Sequence, residues 1–493
     1  MNTPIRRLGV VGMILILALL ANLTWVQVVE APGLRTDARN PRLLIAEYSK
    51  PRGQISADGM LLASSTPTSD SLKYLRQYPN GAEYAPVTGY FSQLYGSTGL
   101  ERASDAVLNG SDDRLLFHRI SDLVSGRDPT PGNVVTTIDP HMQDVAYQDM
   151  TSKGYSGAVV AIQPSTGAIL AMVSTPSFDP APLASHDAAV QKKAWTDDNA
   201  ANPTTLLNRA ISQTYPPGST FKLVDLAAAL QDGYTPDTAV TAENRITLPG
   251  TTTTLENYNG EHCGPGSGTQ VPLSEALARS CNTAFATVAD QVGVDKLRAA
   301  AQAFGIDGPT QQIPQTVAGS TLGDLPDAAA LAQSGIGQRD VRLTPLQNAE
   351  IAATIANGGV RMAPHLIKEI DGPDLSVIDT TAPEQLGQAI PATVAGTIRD
   401  MMIGSEQFTT GHGSIPGVTI ASKTGTAEHG VDSKTTPPHT WYSAFAPAAN
   451  PTVAISVIVE DGGHLGDAAT GGSVASPIAR DVMAAALADG VNG

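Results

Sequence analysis

Hydrophobic residues are concentrated at the start of the chain, in one long stretch without charges. Arg6 and Arg7 precede an uncharged, mostly apolar run from Leu8 to Val29, which is long enough to cross a bilayer as a helix. Basic residues before the run and their scarcity immediately after it place residues 1–7 in the cytoplasm and the body of the chain outside. A cleaved signal peptide is the alternative, but the run is long and no A-x-A site follows it. We expect an uncleaved anchor over residues 8–29.

Short apolar segments separated by turn residues predict β-strands early and late in the remaining chain. The segment GAVVAIQPSTGAILAMVS predicts a hairpin whose arms are Ala158–Ile162 and Ala168–Val173. Toward the end of the chain the pattern predicts three more strands and a final helix: Val418–Ser422, Trp441–Phe445, Val453–Val459 and a helix from about Ser476 to Ala488. We expect the first and last of these strands to share one sheet.

The middle of the chain, from Leu223 to about Ala356, is rich in alanine and is predicted to be largely helical. Three helices are predicted there: Leu273–Ala278, Leu297–Phe304 and Pro345–Ile355. Strands on both sides of a helical middle indicate the α+β class.

The region between the anchor and the hairpin is rich in turn residues. Asp58 and Gly59 form a turn before a short strand at Met60–Leu62. A strand at Val134–Ile138 and a helix from about Pro140 follow. We expect a smaller N-terminal α+β module over residues 30–153. Residues 154–493 are expected to form a second domain, with an antiparallel sheet flanked by helices and a mainly helical subdomain.

Composition narrows the classes of function. Lys and Arg total 30 against 47 Asp and Glu, a net charge of −17, which argues against nucleic acid as a partner. The cysteines are Cys263 and Cys281; an oxidising space outside the cytoplasm permits one disulfide between them, and two separate buried thiols are the alternative. His262 adjoins Cys263, but no second Cys/His cluster completes a metal site. We predict neither a metal nor a cofactor.

The segment YPPGSTFKLVDLAAAL places a hydroxyl and an amine at the start of a helix. Pro216, Pro217 and Gly218 interrupt any earlier structure, and the leucines after Ser219 have helical spacing. Ser219 and Lys222, three residues apart, then share one helix face, near the free N–H groups of the helix N-terminus. This arrangement suits a serine nucleophile with an amine that takes its proton. Taken alone, it is equally typical of a helix cap beside a solvated lysine.

Two later segments change that balance. ARSCNTAFA contains Ser280 and Asn282, and ASKTGTAEHG contains Lys423 followed by Thr424, Gly425 and Thr426. S-x-N is typical of an ordinary polar cap, and K-T-G of an ordinary strand and turn. Together and in this order, S-x-x-K, S-x-N and K-T-G are the signature of penicillin-binding proteins and class A β-lactamases.

The chain resembles a class B penicillin-binding protein, a serine D,D-transpeptidase of peptidoglycan synthesis, of the actinobacterial penicillin-binding protein A type. The resemblance covers nearly the whole chain. It includes PRGQISADG, YPNGAEYAPVTGYFS, NRAISQTYPPGSTFK, GIGQRDVRLTPLQNAEIAATIANGG and MAPHLI. Peptidoglycan stem peptides ending in D-Ala-D-Ala, and β-lactams that mimic them, are the implied substrates and inhibitors. Cell-wall synthesis proteins are the implied partners.

The resemblance implies a role for each motif residue. Ser219 is the expected nucleophile, and Lys222 its base, kept neutral by burial and by a cationic neighbour such as Lys423. Ser280 is expected to relay a proton to the departing D-Ala amine, and Asn282 to bind the substrate's peptide backbone.

The remaining motif residues are expected to bind the substrate. Lys423, Thr424 and Thr426 would hold the terminal carboxylate, and the N–H groups of Ser219 and Thr426 would form the oxyanion hole. Gly425 is expected to let the strand approach the substrate without a Cβ in the way.

One residue departs from the family pattern. Cys281 occupies the middle of S-x-N, where a disulfide to Cys263 would brace the edge of the cleft.

Three other functions are alternatives to a transpeptidase. A D,D-carboxypeptidase would use the same residues with water as acceptor. A β-lactam sensor would need cytoplasmic signalling domains, and a β-lactamase would need an E-x-x-x-N element, which is missing between Asn282 and Lys423. We expect a transpeptidase.

Overall fold

The structure is a computed structural model that describes residues 2–28, 48–116, 130–201, 204–409, 414–430 and 436–488. Helices and strands of very different length follow one another along the chain. The α-helices are α1 Asn2–Val28, α2 Gly81–Thr88, α3 Gly99–Ala103, α4 Asp105–Leu108, α5 Pro140–Ser152, α6 Pro180–Leu183, α7 Ala188–Ala200, α8 Arg209–Ser212, α9 Lys222–Gln231, α10 Leu273–Ala278, α11 Asn282–Val292, α12 Val294–Ala303, α13 Ala328–Gly335, α14 Pro345–Ala356, α15 Ala392–Phe408 and α16 Ser476–Ala488.

The strands fall into two larger sheets and several two-stranded ribbons. They are β1 Ile55–Ala57, β2 Met60–Pro67, β3 Tyr74–Gln77, β4 Phe91–Ser92, β5 Gly96–Ser97, β6 Asn133–Thr136, β7 Gly157–Ile162, β8 Ile169–Thr175, β9 Ala239–Thr241, β10 Arg245–Thr247, β11 Thr254–Glu256, β12 Gln270–Pro272, β13 Val360–Met362, β14 Ile367–Asp371, β15 Val377–Thr380, β16 Gln385–Gln388, β17 Ala421–Ala427, β18 His439–Ala446 and β19 Val453–Val459. The mixture of elements confirms the α+β class.

A five-stranded antiparallel sheet in the order β17-β18-β19-β7-β8 is the base of the larger domain. Every residue of β7, β8, β18 and β19 is buried, so both faces of the sheet are covered. Since side chains alternate between faces, Ile458 packs in the core that includes α14, whereas Val457 packs in the core that includes α5 and α16. The pairing of Ile458 with Ala158 confirms that the first and last strands share one sheet.

Two sequence expectations for this domain were wrong in detail. The strand expected at Val418–Ser422 is Ala421–Ala427 instead, because Val418 donates its N–H to Ile415 in a turn. Lys-Thr-Gly lies in the middle of this strand. The middle of the chain also contains the ribbons β9/β12 and β10/β11, in a segment rich in Thr and Gly.

The smaller sheet has the order β15-β14-β6-β1-β2-β3. Its strands β14 and β15 come from residues 367–380, far beyond the boundary predicted at residue 153, and β14 pairs with β6. Residues 30–47 of the predicted N-terminal module lie outside the described residues. The boundary itself stays a prediction, but the two parts of the chain share a sheet.

A buried carboxylate holds this smaller module together. Glu101 is fully buried and bonds Arg52 and Arg76, each at 2.6 Å, and Tyr78 at 3.1 Å. Burial alone would raise the pKa of Glu101, but the two arginines outweigh it and hold the pKa below its ordinary value. A buried charge that lost such partners would be strongly destabilising.

The helix α1 agrees with the predicted anchor. Its segment Arg6–Gln27 has a mean hydropathy of 2.2, and none of this segment is buried against the rest of the protein. Val29, the predicted end of the span, lies outside the described residues.

Helices α2 and α5 meet at a pair of carboxyl groups, which predicts an unusual dependence of stability on pH. Burial and a hydrogen bond to Asp144 raise the pKa of Glu83 from 4.5 to about 8. The folded protein then keeps a proton that the unfolded chain releases, so the free energy of unfolding falls as pH rises through this interval.

We expect Glu83→Gln to reduce that fall, because the amide keeps a donor for Asp144 without a titrating proton. Thermal melts from pH 5 to pH 8 would measure it. Glu261→Gln, at an exposed carboxyl, is the control and should leave the slope unchanged. An identical slope in wild type and Glu83→Gln would contradict the assignment.

Candidate active site

The turn that carries Ser219 is anchored on both sides before the helix begins. Pro216 accepts a hydrogen bond from the Trp441 indole at 2.9 Å, and Gly218 donates its N–H to Gly337 at 2.9 Å. A 3₁₀ turn, Gly218–Phe221, follows and leads into α9 at Lys222. The helix predicted from Ser219 therefore begins with a tighter turn, and Ser219 is half-buried on it.

Two glycines allow this turn to lie directly against strand β17. Gly218 has a φ of +53°, and a Cβ there would lie 2.7 Å from the carbonyl oxygen of Thr426. A Cβ on Gly425 would lie 2.9 Å from the carbonyl oxygen of Pro217. Gly425 was expected to make room for substrate. The structure gives a different reason, since the space beside it is filled by the Ser219 turn.

Lys222 is completely buried and connects α9 to the S-x-N segment. Its Nζ donates to the Ser280 carbonyl oxygen at 2.7 Å and to Asn282 Oδ1 at 2.8 Å, and lies 3.4 Å from Ser280 Oγ. The face of α9 that begins at Lys222 thus points into the protein.

Ser280 and Asn282 lie where α10 ends and α11 begins. Ser280 has a left-handed φ of +60°, a conformation that non-glycine residues adopt at a cost and that occurs at functional sites. Asn282 donates its amide to the Glu256 carbonyl at 3.1 Å. Between them, Cys281 is bonded to Cys263, with Cα atoms 5.8 Å apart, so the disulfide ties this loop to the neighbouring ribbons.

Lys423 reaches the same hydroxyl from the opposite side. It is fully buried on β17, and its Nζ donates to Ser280 Oγ at 2.8 Å and to the Thr424 carbonyl at 2.9 Å. Thr424 and Thr426 are half-buried on the same strand. Because β17 is an edge strand of its sheet, its outer backbone groups face the Ser219 turn.

Burial lowers the pKa of both lysines, and the charge of Lys423 lowers that of Lys222 further. Burial is the first cause that lowers the pKa of Lys222 well below its ordinary value, and the charge of Lys423 is the second; Asp225 opposes them. Burial lowers the pKa of Lys423 to about 7. A fixed ammonium at Lys222 is therefore disfavoured, as a general base requires.

One expected contact is not formed. Among the described residues, the Ser219 hydroxyl takes part in no hydrogen bond with Lys222 or any other group. Such bonds are often long or poorly aligned in a protein without substrate and tighten in the complex. The other motif residues lie close together: Lys222, Ser280, Asn282 and Lys423 through direct bonds, and Gly425 and Thr426 through contacts with the Ser219 turn.

Residues 157–484 match the penicillin binding protein transpeptidase domain, and residues 52–134 match the penicillin binding protein A dimerisation domain. The chain belongs to the penicillin-binding protein transpeptidase family. The family resemblance seen in the sequence is thereby confirmed.

Individual relatives are similar in sequence to this penicillin-binding protein along nearly its whole length. It is 56% identical to the peptidoglycan D,D-transpeptidase PbpA of Mycolicibacterium smegmatis, over 99% of this chain and 100% of that protein. It is 53% identical to PbpA of Mycobacterium tuberculosis, with 99% of both chains covered. The ceftriaxone acyl-enzyme complex of penicillin-binding protein A from M. tuberculosis superposes with a TM-score of 0.88 at 52% identity, covering 90% of this chain and 100% of that one.

Sequence reasoning missed several residues that support the site of this penicillin-binding protein. Glu406 on α15 accepts from Ser422, the neighbour of Lys423, and from Tyr442 at 2.8 Å and Arg480 at 2.6 Å. This network fixes the strand beside Lys423. No spacing in the sequence relates these four residues, because each lies on a different element.

Asp225 is a second residue that the motifs did not indicate. It is fully buried one helical turn after Lys222, and neither carboxyl oxygen has a hydrogen-bond partner among the described residues. Burial raises the pKa of Asp225 well above its ordinary value, against the opposing effect of Lys222. A neutral acid here leaves the amine of Lys222 without an ion-pair partner.

Gly425→Ala tests the contact between β17 and the Ser219 turn. The added Cβ must displace the Pro217 carbonyl or the strand. We expect covalent labelling by a fluorescent penicillin to slow about a hundred-fold, the scale of an ångström-sized misplacement. Gly404→Ala, in a helix where an added Cβ meets nothing within 4 Å, is the control. Equal labelling rates in both variants would show that the close approach is unimportant.

Proposed function

We propose that this protein is a serine D,D-transpeptidase that cross-links peptidoglycan stem peptides through an ester on Ser219, and that β-lactams acylate the same hydroxyl. One observation carries the proposal. Two buried lysines from distant segments, Lys222 and Lys423, both contact Ser280 Oγ, in a cleft that adjoins the Ser219 turn. The relatives named D,D-transpeptidase and the acyl-enzyme structures of penicillin-binding protein A support it.

Lys222 suits the role of general base because of how its amine is bonded. A neutral amine has two N–H donors and one lone pair. Its two short bonds, to the Ser280 carbonyl and Asn282 Oδ1, occupy both donors. The lone pair then remains to accept the proton of Ser219 as its oxygen attacks the penultimate D-Ala carbonyl carbon.

Ser280 suits the role of proton relay for a matching reason. Lys423 donates to its Oγ, so the hydroxyl hydrogen of Ser280 can be donated elsewhere. In the tetrahedral intermediate, the C–N bond breaks and the departing D-Ala amine takes this proton, which Lys222 replaces. An amine from a second stem peptide then attacks the ester, and Ser219 recovers its proton through Lys222.

The edge strand β17 offers the binding surface for substrate. An extended peptide can add to an exposed sheet edge through main-chain hydrogen bonds. Lys423, Thr424 and Thr426 would hold the terminal carboxylate. The N–H groups of Ser219 and Thr426, on segments held together by Gly218, would bind the oxyanion. Asn282 would exchange its bond to Glu256 for one to the substrate backbone.

We also propose an orientation in the membrane. Arg6 and Arg7 lie at the N-terminal end of the apolar helix, and these basic residues support a cytoplasmic side for residues 1–7 and an outer side for the catalytic domain. The disulfide Cys263–Cys281 suits an oxidising compartment. Cell-wall synthesis proteins are the proposed partners of the N-terminal module.

The decisive experiment compares wild type with Ser219→Ala in fluorescent penicillin labelling. We expect a stable covalent label on wild type and complete loss in Ser219→Ala. Ser212→Ala, at an exposed serine of the preceding helix α8, should label normally. A persistent label on Ser219→Ala would refute the assignment.

A second experiment uses a lipid-linked peptidoglycan precursor as substrate. Cross-linked product supports transpeptidation, whereas release of D-Ala without cross-links indicates a carboxypeptidase.

The pH dependence of labelling tests the coupling between the lysines. Acylation requires neutral Lys222, so its rate should rise with pH through the pKa of that amine. Lys423→Gln removes the charge that helps lower the pKa of Lys222. We expect the rising limb of the rate profile to move to higher pH, together with a lower maximum rate. A slower variant with an unshifted limb would mean that Lys423 acts only in binding.

A further inference from the structure

A second cluster of chemically competent side chains lies at the end of the β17–β18 hairpin where residues 428–438 connect the two strands. His429 follows β17 by two residues, His439 begins β18, and Asp461 follows β19 within two residues. The pairing of Ala427 with His439 is the last of the β17–β18 ladder. These three residues therefore come from three separate segments that meet beside the strand carrying Lys423.

The candidate ligand atoms lie within 4.8 Å of one another. Asp461 Oδ1 is 2.9 Å from His429 Nε2 and 3.7 Å from His439 Nδ1. Tetrahedral Zn²⁺ with nitrogen and oxygen ligands at ordinary bond lengths separates its ligand atoms by about 3.3–3.5 Å. The two separations that involve Asp461 are thus within about half an ångström of that geometry.

The hydrogen bonds of the cluster show which atoms hold lone pairs. His439 Nδ1 accepts from the Asp461 backbone N–H at 3.2 Å, so it carries a lone pair, and a bound ion would have to displace this hydrogen bond. His429 Nε2 lies 2.9 Å from both the Pro437 carbonyl oxygen and Asp461 Oδ1. Two oxygen acceptors require an N–H at that position. Cation binding therefore requires the other neutral tautomer of His429, in which Nδ1 carries the proton and Nε2 holds the lone pair.

The backbone and the exposure also suit ion entry. Asp461 has a left-handed φ of +51°, an uncommon conformation for a non-glycine residue. Its side chain is 63% exposed, whereas those of His429 and His439 are 20% and 11% exposed. An ion would reach the two imidazoles from the open side of Asp461, where water can supply the fourth ligand.

We propose that His429, His439 and Asp461 form a binding site for Zn²⁺ or a similar transition-metal ion. Two imidazoles and one carboxylate match the ligand preference of Zn²⁺ and not that of Mg²⁺, which prefers oxygen. The two rings are stacked, with centroids 3.6 Å apart and an interplanar angle of 8°. Because lone pairs lie in the ring planes, binding must tilt the rings out of this parallel stack.

The site would join segments that border the proposed catalytic cleft. His439 contacts the Tyr215 ring edge-on, with centroids 5.4 Å apart, and Tyr215 lies just before the turn that carries Ser219. A bound ion would therefore stiffen both β17 and the base of that turn. Any effect of this stiffening on catalysis depends on the proposed function, whereas metal binding itself does not. The sequence predicted no metal because the three ligands lie 10 and 22 residues apart.

Isothermal titration of the full chain in detergent with Zn²⁺ tests the site, with Mg²⁺ as the control ion. We expect one Zn²⁺ per chain and no heat from Mg²⁺. Asp461→Asn and His429→Gln should each weaken binding at least ten-fold. His464→Ala, a histidine of the same loop that stacks on Tyr155 instead, should bind as wild type does. Melting curves without metal identify any variant that fails to fold.

Co²⁺ gives a spectroscopic check of the ligand set. Wild type and His464→Ala should show visible absorption bands of tetrahedral Co²⁺ that Asp461→Asn lacks. No Zn²⁺ binding, or equal binding in Asp461→Asn, would overturn the site and leave a cluster that binds only protons. Neither measurement uses acylation. A negative result would therefore overturn the metal site alone, whereas a label that persists on Ser219→Ala would overturn the proposed function alone.

Discussion

The site depends on one electrostatic constraint, which is that two lysines share one hydroxyl away from water. Lys222 and Lys423 both lie within hydrogen-bonding reach of Ser280 Oγ, and both are fully buried. Two ammonium groups in this position would repel each other and lack solvation. The protein therefore favours an uncharged amine at Lys222, which suits the proposed role of this residue as a base. Among the described residues, no carboxylate is bonded to either Nζ.

The surrounding structure keeps that arrangement rigid. Glycines 218 and 425 bring the Ser219 turn into contact with β17, and Glu406 fixes Ser422 beside Lys423. On the opposite side, the Cys263–Cys281 disulfide ties the Ser280 loop to its neighbouring ribbons. Each of these supports acts on a different segment, so the position of the Ser280 hydroxyl is set by contacts that originate far apart in the chain.

The position of β17 at the edge of its sheet leaves part of its backbone without a neighbouring strand. A strand with one neighbour keeps a row of unpaired backbone groups, which soluble proteins normally protect. Here the Ser219 turn covers part of that edge. The same strand ends at the cluster of His429, His439 and Asp461, so the proposed catalytic site and the proposed metal site depend on the same backbone segment.

Local patterns in the sequence determined much of the fold and the identity of the motifs. Val453–Val459, Leu273–Ala278 and Ser476–Ala488 were placed correctly because each has an uninterrupted local periodicity. The strand expected from Val418 begins three residues later, at Ala421, because the Val418 N–H is bonded to the Ile415 carbonyl in a turn. The order of S-x-x-K, S-x-N and K-T-G was sufficient for the family, since motif spacing is a property of the chain itself.

Tertiary structure alone decided how those motifs interact. Sequence spacing could not indicate that Lys222 bonds Asn282 and Ser280 rather than Ser219, that Gly425 faces Pro217, or that β14 completes the sheet of the N-terminal module. Glu406 and Asp225 carry no motif, and His429, His439 and Asp461 meet only because β17, β18 and β19 are neighbours. The physical reason is the same in each case: long-range packing and burial set these distances and charges, and neither is encoded by residues near one another in the chain.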